Sequence, residues 1–299
     1  MKENSRSRSF VKAVLISPSE ARLRAGWRLL FQSLLLGLFF CVMSFPVMWF
    51  GPGQTETWVF GFFSLAECFA ITISVFYSRR FFDRRSFTSL GLSLNRTAVK
   101  DIFAGVGIAA IMMGFIFISA TALKWINVNS FSWDSDGFPK AAAQTSIWLI
   151  IFIIVGWQEE LLSRGYQLQN LADGINMTWG AIISSLAFAI LHVFNPGASW
   201  ISTFGIFLAG LFLTLGYILT KQLWLPIGLH IGWNFFEGVV FGFPVSGIGT
   251  YKLVLIQVSG PKIWTGGEFG PEAGLLLLPA LLIGVILMVG YSNYRVKHD

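Results

Sequence analysis

The chain consists largely of apolar runs of about twenty residues each, the length that a helix needs to cross a membrane. Short polar stretches with glycine or proline separate these runs. The pattern predicts an all-α polytopic membrane protein with about eight transmembrane helices. The predicted spans cover residues 27–50, 58–77, 102–126, 146–171, 179–194, 204–219, 224–243 and 275–291.

The longest connection between predicted spans covers residues 244–274 and is rich in glycine. Connections of that length are usually functional or disordered. Within it, the stretch LVLIQV (253–258) has the composition of a short strand. The pattern contains neither an internal repeat nor a second domain. We therefore predict a single transmembrane domain over residues 27–294, preceded by a basic cytoplasmic segment at 1–26.

Composition and charge support the membrane interpretation. Only 12% of the residues are charged, and the mean hydropathy is +0.67, whereas soluble domains carry roughly 25% charged residues. Lysine and arginine are concentrated before the first predicted span and after the second, and the loop between those spans has neither. The positive-inside rule then predicts cytoplasmic N- and C-termini. The net charge of +6 reflects this topology and does not indicate nucleic-acid binding.

Ionisable residues are rare within the predicted spans. Each is a functional hypothesis, because a charge in hydrocarbon is costly unless it faces a partner or water. Glu237 could line the same cavity as the other residues or reach the outer interface. For both Glu67 and Glu237 we favour pairing or exposure at the membrane interface. The two cysteines show no metal-type spacing and are interpreted as small buried hydrophobic residues. The ionisable residues within spans are Glu67, Glu159, Glu160, Arg164, His192, His230 and Glu237.

Two adjacent acids, Glu159 and Glu160, differ in the partners that a helix gives them. Arg164 follows Glu160 by four residues, so these two share a helix face in the favourable order of acid before base. Glu159 points about 100° away around the helix axis. One carboxylate is then compensated locally, and the other is directed elsewhere. The structural alternative is that both acids share Arg164 and only brace the span.

Two histidines within predicted spans form i, i+4 pairs: His192 with Phe188, and His230 with Asn234. Counted from the inner ends of their spans, Glu159 and both histidines lie at similar depths of roughly 12–20 Å. Three spans could therefore bring them to one level. A glutamate, two histidines and an asparagine in a low-dielectric cavity suit water activation and oxyanion stabilisation. The structural alternative is interhelical hydrogen bonding.

These residues form three ordered motifs that resemble a known family. EELLSR (159–164), FAILH (188–192) and HIGWN (230–234) match the patterns EExxxR, FxxxH and HxxxN of the CPBP family. That family contains CAAX-type prenyl proteases and bacteriocin-processing or self-immunity proteins. Each motif alone is weak, but three in order, each in a predicted span, are specific. RRSFTSLGL (84–92) and TGGEFGPEAG (265–274) also resemble bacterial members.

The resemblance implies an eight-helix intramembrane endopeptidase with a catalytic core at about residues 145–243. Carried over to the matching positions, it implies that Glu159 activates the hydrolytic water with the assistance of His192. It further implies that His230 and Asn234 stabilise the tetrahedral oxyanion.

Three residues have supporting roles in the same resemblance: Glu160 and Arg164 as an ion pair, and Phe188 as the first residue of its motif. The implied partners are membrane lipid and a membrane-bound or lipidated peptide, with no nucleic acid. The implied location is a bacterial plasma membrane.

A metal-free site and a divalent metal site are both compatible with these residues. The family is often described as metalloproteases, and Glu159, His192 and His230 could supply the three protein ligands of a catalytic zinc. Glu159 could then not also be the free general base, whereas a metal-free site uses each residue once, which slightly favours it. The chain has no HExxH run, so the spacing excludes a zincin-type site.

Two other classes of function could use the same residues. A non-catalytic membrane immunity or scaffold protein would bind a peptide in the same cavity without activating water. A proton-coupled transporter would use the acids and histidines as a relay. The chain shows neither the repeats nor the paired broken helices that are typical of such transporters.

Overall fold

The structure is a computed structural model that describes residues 12–17, 22–50 and 55–298. Most of the predicted basic segment at 1–26 lies outside these ranges. The protein is mostly helical (76%), as the membrane class requires. Its helices are α1 (Ala25–Phe50), α2 (Glu56–Tyr77), α3 (Arg96–Ala122), α4 (Ser132–Asp136), α5 (Phe138–Glu160), α6 (Leu168–Gly174), α7 (Met177–Leu191), α8 (Trp200–Thr220), α9 (Trp224–Asn234), α10 (Lys262–Thr265) and α11 (Leu277–His298).

Six helical stretches are long and apolar enough to cross a membrane, and each overlaps a predicted span. Large apolar side chains such as Leu34, Phe103 and Leu282 are exposed on them, as lipid-facing residues are. The chain is therefore an integral membrane protein. The stretches are Ala25–Pro46, Glu56–Phe82, Arg96–Ala122, Phe138–Gly174, Trp200–Thr220 and Leu277–Lys297.

Two of the eight predicted spans are shorter than a full crossing. The span predicted at 179–194 is α7, which has 15 residues and ends at Leu191. The span predicted at 224–243 is α9, with 11 residues, followed by a π-helical segment at Phe235–Val240. The structure thus gives six candidate spans and a shorter apolar helix, and it does not confirm a count of eight.

Three α-helices continue without a break into π-helical segments, namely α2, α5 and α9. A π-helical turn is wider than an α-helical one and occurs often at functional sites. Two of the three segments directly follow motif residues. The segments are Ser78–Phe82, Leu161–Gln167 and Phe235–Val240.

A small antiparallel sheet joins β1 (Ile126–Phe131) to β2 (Val254–Val258), with Ile126 opposite Val258. The strand predicted within LVLIQV is confirmed as β2. The all-α description omitted β1, because the third span was predicted to extend to residue 126 and left no separate strand pattern behind it. Single-turn 3₁₀ helices lie at Phe87–Leu90 and Pro271–Ala273.

The chain forms two compact units, which we name unit 1 (Met1–Leu92 and Leu161–Ser184) and unit 2 (Ser93–Glu160 and Ser185–Asp299). The core of unit 2 is formed mainly by α3, α8, α9 and α11. Their packing brings together side chains such as Met112, which is 0% exposed.

Unit 1 buries a polar cluster centred on Asp83, which is 1% exposed. Its Oδ1 accepts hydrogen bonds from Arg28 (3.3 Å) and from the Tyr166 hydroxyl (3.3 Å). Its Oδ2 accepts from Arg79 (2.8 Å) and Asn170 (3.4 Å). Four donors therefore surround one carboxylate, which is how a buried charge is stabilised.

Candidate active site

The candidate catalytic residues Glu159, His192, His230 and Asn234 all lie in unit 2. Glu159 is the next-to-last residue of α5, and Glu160 is the last, directly before the π-helical segment. The Glu160 side chain is fully buried, whereas that of Glu159 is 24% exposed. The two adjacent acids therefore occupy different environments, as predicted from their positions on the helix.

Helix α9 carries His230 and Asn234, and small residues fix its position. A Cβ atom on Gly228 would lie 2.2 Å from the carbonyl oxygen of Ile102, so the backbones of α9 and α3 are in direct contact there. On the other side, a Cβ on Gly156 of α5 would lie 2.7 Å from the Ile231 side chain. Small residues permit such close approach between helices in membranes. Helix α9 is thereby held against α5, the helix with both acids.

His230 connects the two adjacent acids. Its Nδ1 lies 2.8 Å from Oε1 of Glu160, and its Nε2 lies 3.6 Å from Oε2 of Glu159. Because a carboxylate only accepts hydrogen bonds, Nδ1 carries a proton and donates it to Glu160. This bond fixes the ring orientation and directs Nε2 toward Glu159.

His192 faces the same carboxylate oxygen from a different element. Its Nδ1 lies 2.8 Å from the carbonyl oxygen of Phe188, so Nδ1–H is the donor and Nε2 of the neutral ring is an acceptor. That Nε2 lies 3.9 Å from Oε2 of Glu159. The predicted span 179–194 included His192, whereas α7 ends at Leu191 and His192 directly follows it.

Phe188 contacts both histidine rings. Its ring centroid lies 4.7 Å from that of His192 and 6.1 Å from that of His230, the latter in an edge-on arrangement. Phe188 is itself buried. The predicted supporting residue therefore packs against both imidazoles.

Asn234 directly precedes one π-helical segment, and Arg164 lies within another. Asn234 is the last residue of α9, buried and one turn after His230. Arg164 is buried within the segment Leu161–Gln167. The pairing of Glu160 with Arg164 stays a prediction. The bond from His230 to Glu160 was not predicted.

The chemically available atom of the cluster is Oε2 of Glu159. It is buried and has no hydrogen-bond partner within residues 12–17, 22–50 and 55–298. The two histidine Nε2 atoms lie just beyond direct hydrogen-bonding distance, at 3.6 and 3.9 Å. Polar groups at such separations are commonly bridged by water. The arrangement suits a carboxylate and two imidazoles that act on one small molecule.

The candidate metal site at Glu159, His192 and His230 stays a prediction. Among the described residues, no group of three or more histidine, cysteine, aspartate or glutamate side chains is found that could hold a metal ion. We therefore derive no catalytic step through a metal.

Sequence reasoning missed a further acid beside the site, Glu272, which is 5% exposed. It accepts hydrogen bonds from Trp233 Nε1 (3.1 Å) and from the Ser246 hydroxyl. The available signal was its position in the motif TGGEFGPEAG (265–274). Glu237 is 0% exposed, so of the alternatives given for it, exposure at the membrane interface is wrong.

The fold and the cluster together define a class: an integral membrane protein with a glutamate–histidine site built from helix ends and π-helical turns. Residues 141–236 match the family model described as Type II CAAX prenyl endopeptidase Rce1-like. This segment contains all three motifs, so the resemblance predicted from them is confirmed over it. At the level of the family, the match supports a CAAX-type intramembrane endopeptidase. No curated protein matches the chain.

Proposed function

We propose that the protein is an intramembrane endopeptidase that hydrolyses a peptide bond of a membrane-bound or lipidated peptide. The observation that carries this proposal is the approach of two histidine Nε2 atoms, at 3.6 and 3.9 Å, to the one carboxylate oxygen of Glu159 that has no hydrogen-bond partner among the described residues. The membrane-spanning helices and the family match support the substrate class.

In the proposed reaction, Glu159 is the general base. Its Oε2 takes a proton from a water molecule, and the oxygen of that water adds to the carbonyl carbon of the scissile bond. His192 assists, because its Nδ1–H is held by Phe188 and its Nε2 is left to accept a hydrogen bond from the same water. A metal-free general base thus uses each residue once.

His230 and Asn234 stabilise the tetrahedral oxyanion. The buried Glu160 carboxylate compensates the charge of a doubly protonated His230, whose Nε2–H then donates to the oxyanion. The Asn234 amide, one turn further along α9, is the second donor. When the intermediate collapses, the carbon–nitrogen bond breaks and protonated Glu159 returns its proton to the leaving amine. The products are a new carboxylate terminus and a free amine terminus.

The test is peptide cleavage by purified protein in liposomes, with a prenylated CAAX peptide and the same peptide without the lipid as the probes. We expect wild-type protein to cleave at least one of them, and Glu159→Gln to abolish cleavage. The matched control is Glu67→Gln, since Glu67 is an exposed acid on α2, outside the site. Each assay is repeated with a chelator, and the proposed mechanism predicts unchanged rates.

The outcomes separate the alternatives. Equal cleavage by wild type and Glu159→Gln would overturn the catalytic role of Glu159, and loss of wild-type activity with chelator would overturn the metal-free mechanism. Wild-type protein that binds the peptides without cleaving them, with binding retained in Glu159→Gln, would instead identify the non-catalytic immunity or scaffold alternative. Proton flux in the same liposomes that depends on Glu159 would identify a transporter.

A further inference from the structure

The connection that follows β2 contains a buried acid to which the proposed reaction gives no role. Glu272 lies in the 3₁₀ turn at Pro271–Ala273, and both of its carboxylate oxygens accept hydrogen bonds. Trp233 Nε1 donates to Oε1 at 3.1 Å, and the Ser246 hydroxyl donates to Oε2. A buried carboxyl with both oxygens engaged is positioned firmly, because breaking either bond would leave a buried polar atom unsatisfied.

The two donors belong to chain segments that carry the candidate catalytic residues. Trp233 is directly before Asn234 in α9 and three residues after His230. The Ser246 carbonyl accepts a hydrogen bond from the Asn195 side chain (3.0 Å). The backbone N–H of Asn195 in turn donates a hydrogen bond to the backbone carbonyl of His192 (3.1 Å). Glu272 is therefore connected to α9 in one direction and to the turn after α7 in the other.

The connection around Glu272 is packed closely against the same elements. Phe269 and Ala273 form a buried cluster with Phe188, the residue that contacts both histidine rings. Gly270 has φ +108°, and a Cβ atom there would lie 2.2 Å from the carbonyl oxygen of Pro244. Only glycine adopts this conformation readily and permits this approach. The motif TGGEFGPEAG thus packs closely against Phe188, which contacts both histidines.

The Glu272 carboxyl is also within electrostatic range of both histidines. Burial raises the pKa of this carboxyl, and the hydrogen bond from Ser246 and the neighbouring His192 and His230 oppose that rise. The electrostatic interaction agrees with the hydrogen-bond pattern in placing the buried Glu272 carboxyl close to both histidines.

We propose that Glu272 is a positioning residue of the peptidase site: through Trp233 and through Ser246 with Asn195, it holds His230, Asn234 and His192 in the arrangement that faces Glu159. The inference rests on the proposed function. The glycine-rich connection then fixes the position of the motif FAILH (188–192) relative to the motif HIGWN (230–234).

The first test compares Glu272→Ala, Glu272→Gln and the matched control Glu268→Gln. Glu268 lies in the same motif but is 85% exposed. We expect Glu272→Ala to lower kcat about 10- to 100-fold, because small displacements of catalytic groups have effects of that size. KM should change less than about threefold. Glu272→Gln should recover part of the loss, because its amide oxygen still accepts from Trp233.

The second test uses the histidines directly and does not depend on activity. The chain has three histidines, His192, His230 and His298, so histidine-selective isotope labelling gives three ring signals. In Glu272→Ala, the signals of His192 and His230 should shift while that of His298 stays, and Glu268→Gln should leave all three in place. Unshifted signals for His192 and His230 would overturn the inference even if no peptidase activity were found.

Variants that each remove one of the two hydrogen bonds distinguish loss of positioning from a general folding defect. Trp233→Phe and Ser246→Ala should each lower kcat less than Glu272→Ala does, and Trp233→Phe should add little in the background of Glu272→Ala, because the two act through one contact. Full additivity would overturn the proposed connection. A parallel loss of thermal stability and activity in all three variants, with unshifted histidine signals, would show a general structural role in place of positioning.

Discussion

Each of the two units contains an acid in a polar cluster, and the two acids differ in how many hydrogen bonds they accept. In unit 1, Asp83 accepts hydrogen bonds from two arginines, a tyrosine and an asparagine, so every oxygen has donors. In unit 2, Glu159 has an oxygen with no hydrogen-bond partner in the described parts of the chain, although two imidazoles face it at 3.6 and 3.9 Å.

The difference distinguishes an acid that stabilises the fold, Asp83, from an acid that is available for chemistry, Glu159. A buried carboxylate costs several kcal/mol unless donors surround it, and Asp83 meets that requirement completely. Glu159 does not meet it, because its Oε2 has no hydrogen-bond donor among the described residues. In the proposed reaction, a water molecule between Glu159 and the two histidines would donate that hydrogen bond. Glu160, next to Glu159, accepts a hydrogen bond from His230 directly at Oε1. Adjacent glutamates of one helix thus differ in how closely the imidazole approaches them.

The largest expected effect is on activity, from Glu159→Gln. We expect a loss of about 10²- to 10⁴-fold in kcat, the range for a general base, with an unchanged thermal unfolding temperature, because no hydrogen bond is broken. Initial cleavage rates and unfolding monitored by intrinsic fluorescence in detergent measure both. A variant that keeps more than a tenth of the rate would remove Glu159 from the chemistry and abolish the contrast with Asp83.

The converse effect is expected for Asp83→Asn, which removes the charge from a cluster of donors. Leaving two buried arginines without their carboxylate should destabilise the protein by about 3–5 kcal/mol. Denaturant unfolding in detergent micelles measures the change. The control is Glu268→Gln, which removes an acid that is 85% exposed and 3.9 Å from Lys262, and it should leave unfolding unaltered. Equal stability of the two variants would contradict a structural role for Asp83.

An intermediate effect is expected for Glu160→Gln. The amide oxygen still accepts from His230 Nδ1, but the hydrogen bond to a charged group is lost, which is typically about 1.5–3 kcal/mol. If this interaction energy is lost from the transition state, kcat falls about 10- to 100-fold. Cleavage rates measured beside Glu159→Gln decide the order, and a loss equal to that of Glu159→Gln would indicate that Glu160 is itself a reacting group.

The smallest expected effect is that of Tyr166→Phe in unit 1. It removes one neutral donor of Asp83 and leaves three others, so we expect a loss of about 1 kcal/mol of stability. The same denaturant experiment measures it. A loss as large as that of Asp83→Asn would show that the four donors act as one cooperative unit and not as separate contacts.

The sequence was sufficient to predict the membrane class, six of the long helices and the residues that meet at the site. Apolar runs of about twenty residues have few alternatives to a membrane helix, and ionisable residues are conspicuous inside them. The position of Glu159 relative to Glu160 followed from helix geometry alone, because both lie within the regular part of α5.

The remaining features depend on contacts or local geometry that helical periodicity does not contain. The hydrogen bond from His230 to Glu160 joins positions 70 residues apart. The π-helical segment that begins at Leu161 is likewise not visible in the apolar pattern. Glu272 lies in a connection without regular periodicity, so only its motif indicated it.

The short length of α7 bears on how a hydrolase obtains its reactant inside a lipid layer. Its 15 residues extend about 22 Å at 1.5 Å per residue, less than the roughly 30 Å of hydrocarbon in a typical bilayer. A helix of this length that inserts into a bilayer thins the lipid around it or ends below the surface of the hydrocarbon layer. His192 directly follows the end of α7, so in the proposed reaction the short helix would bring water within reach of a residue that acts on it.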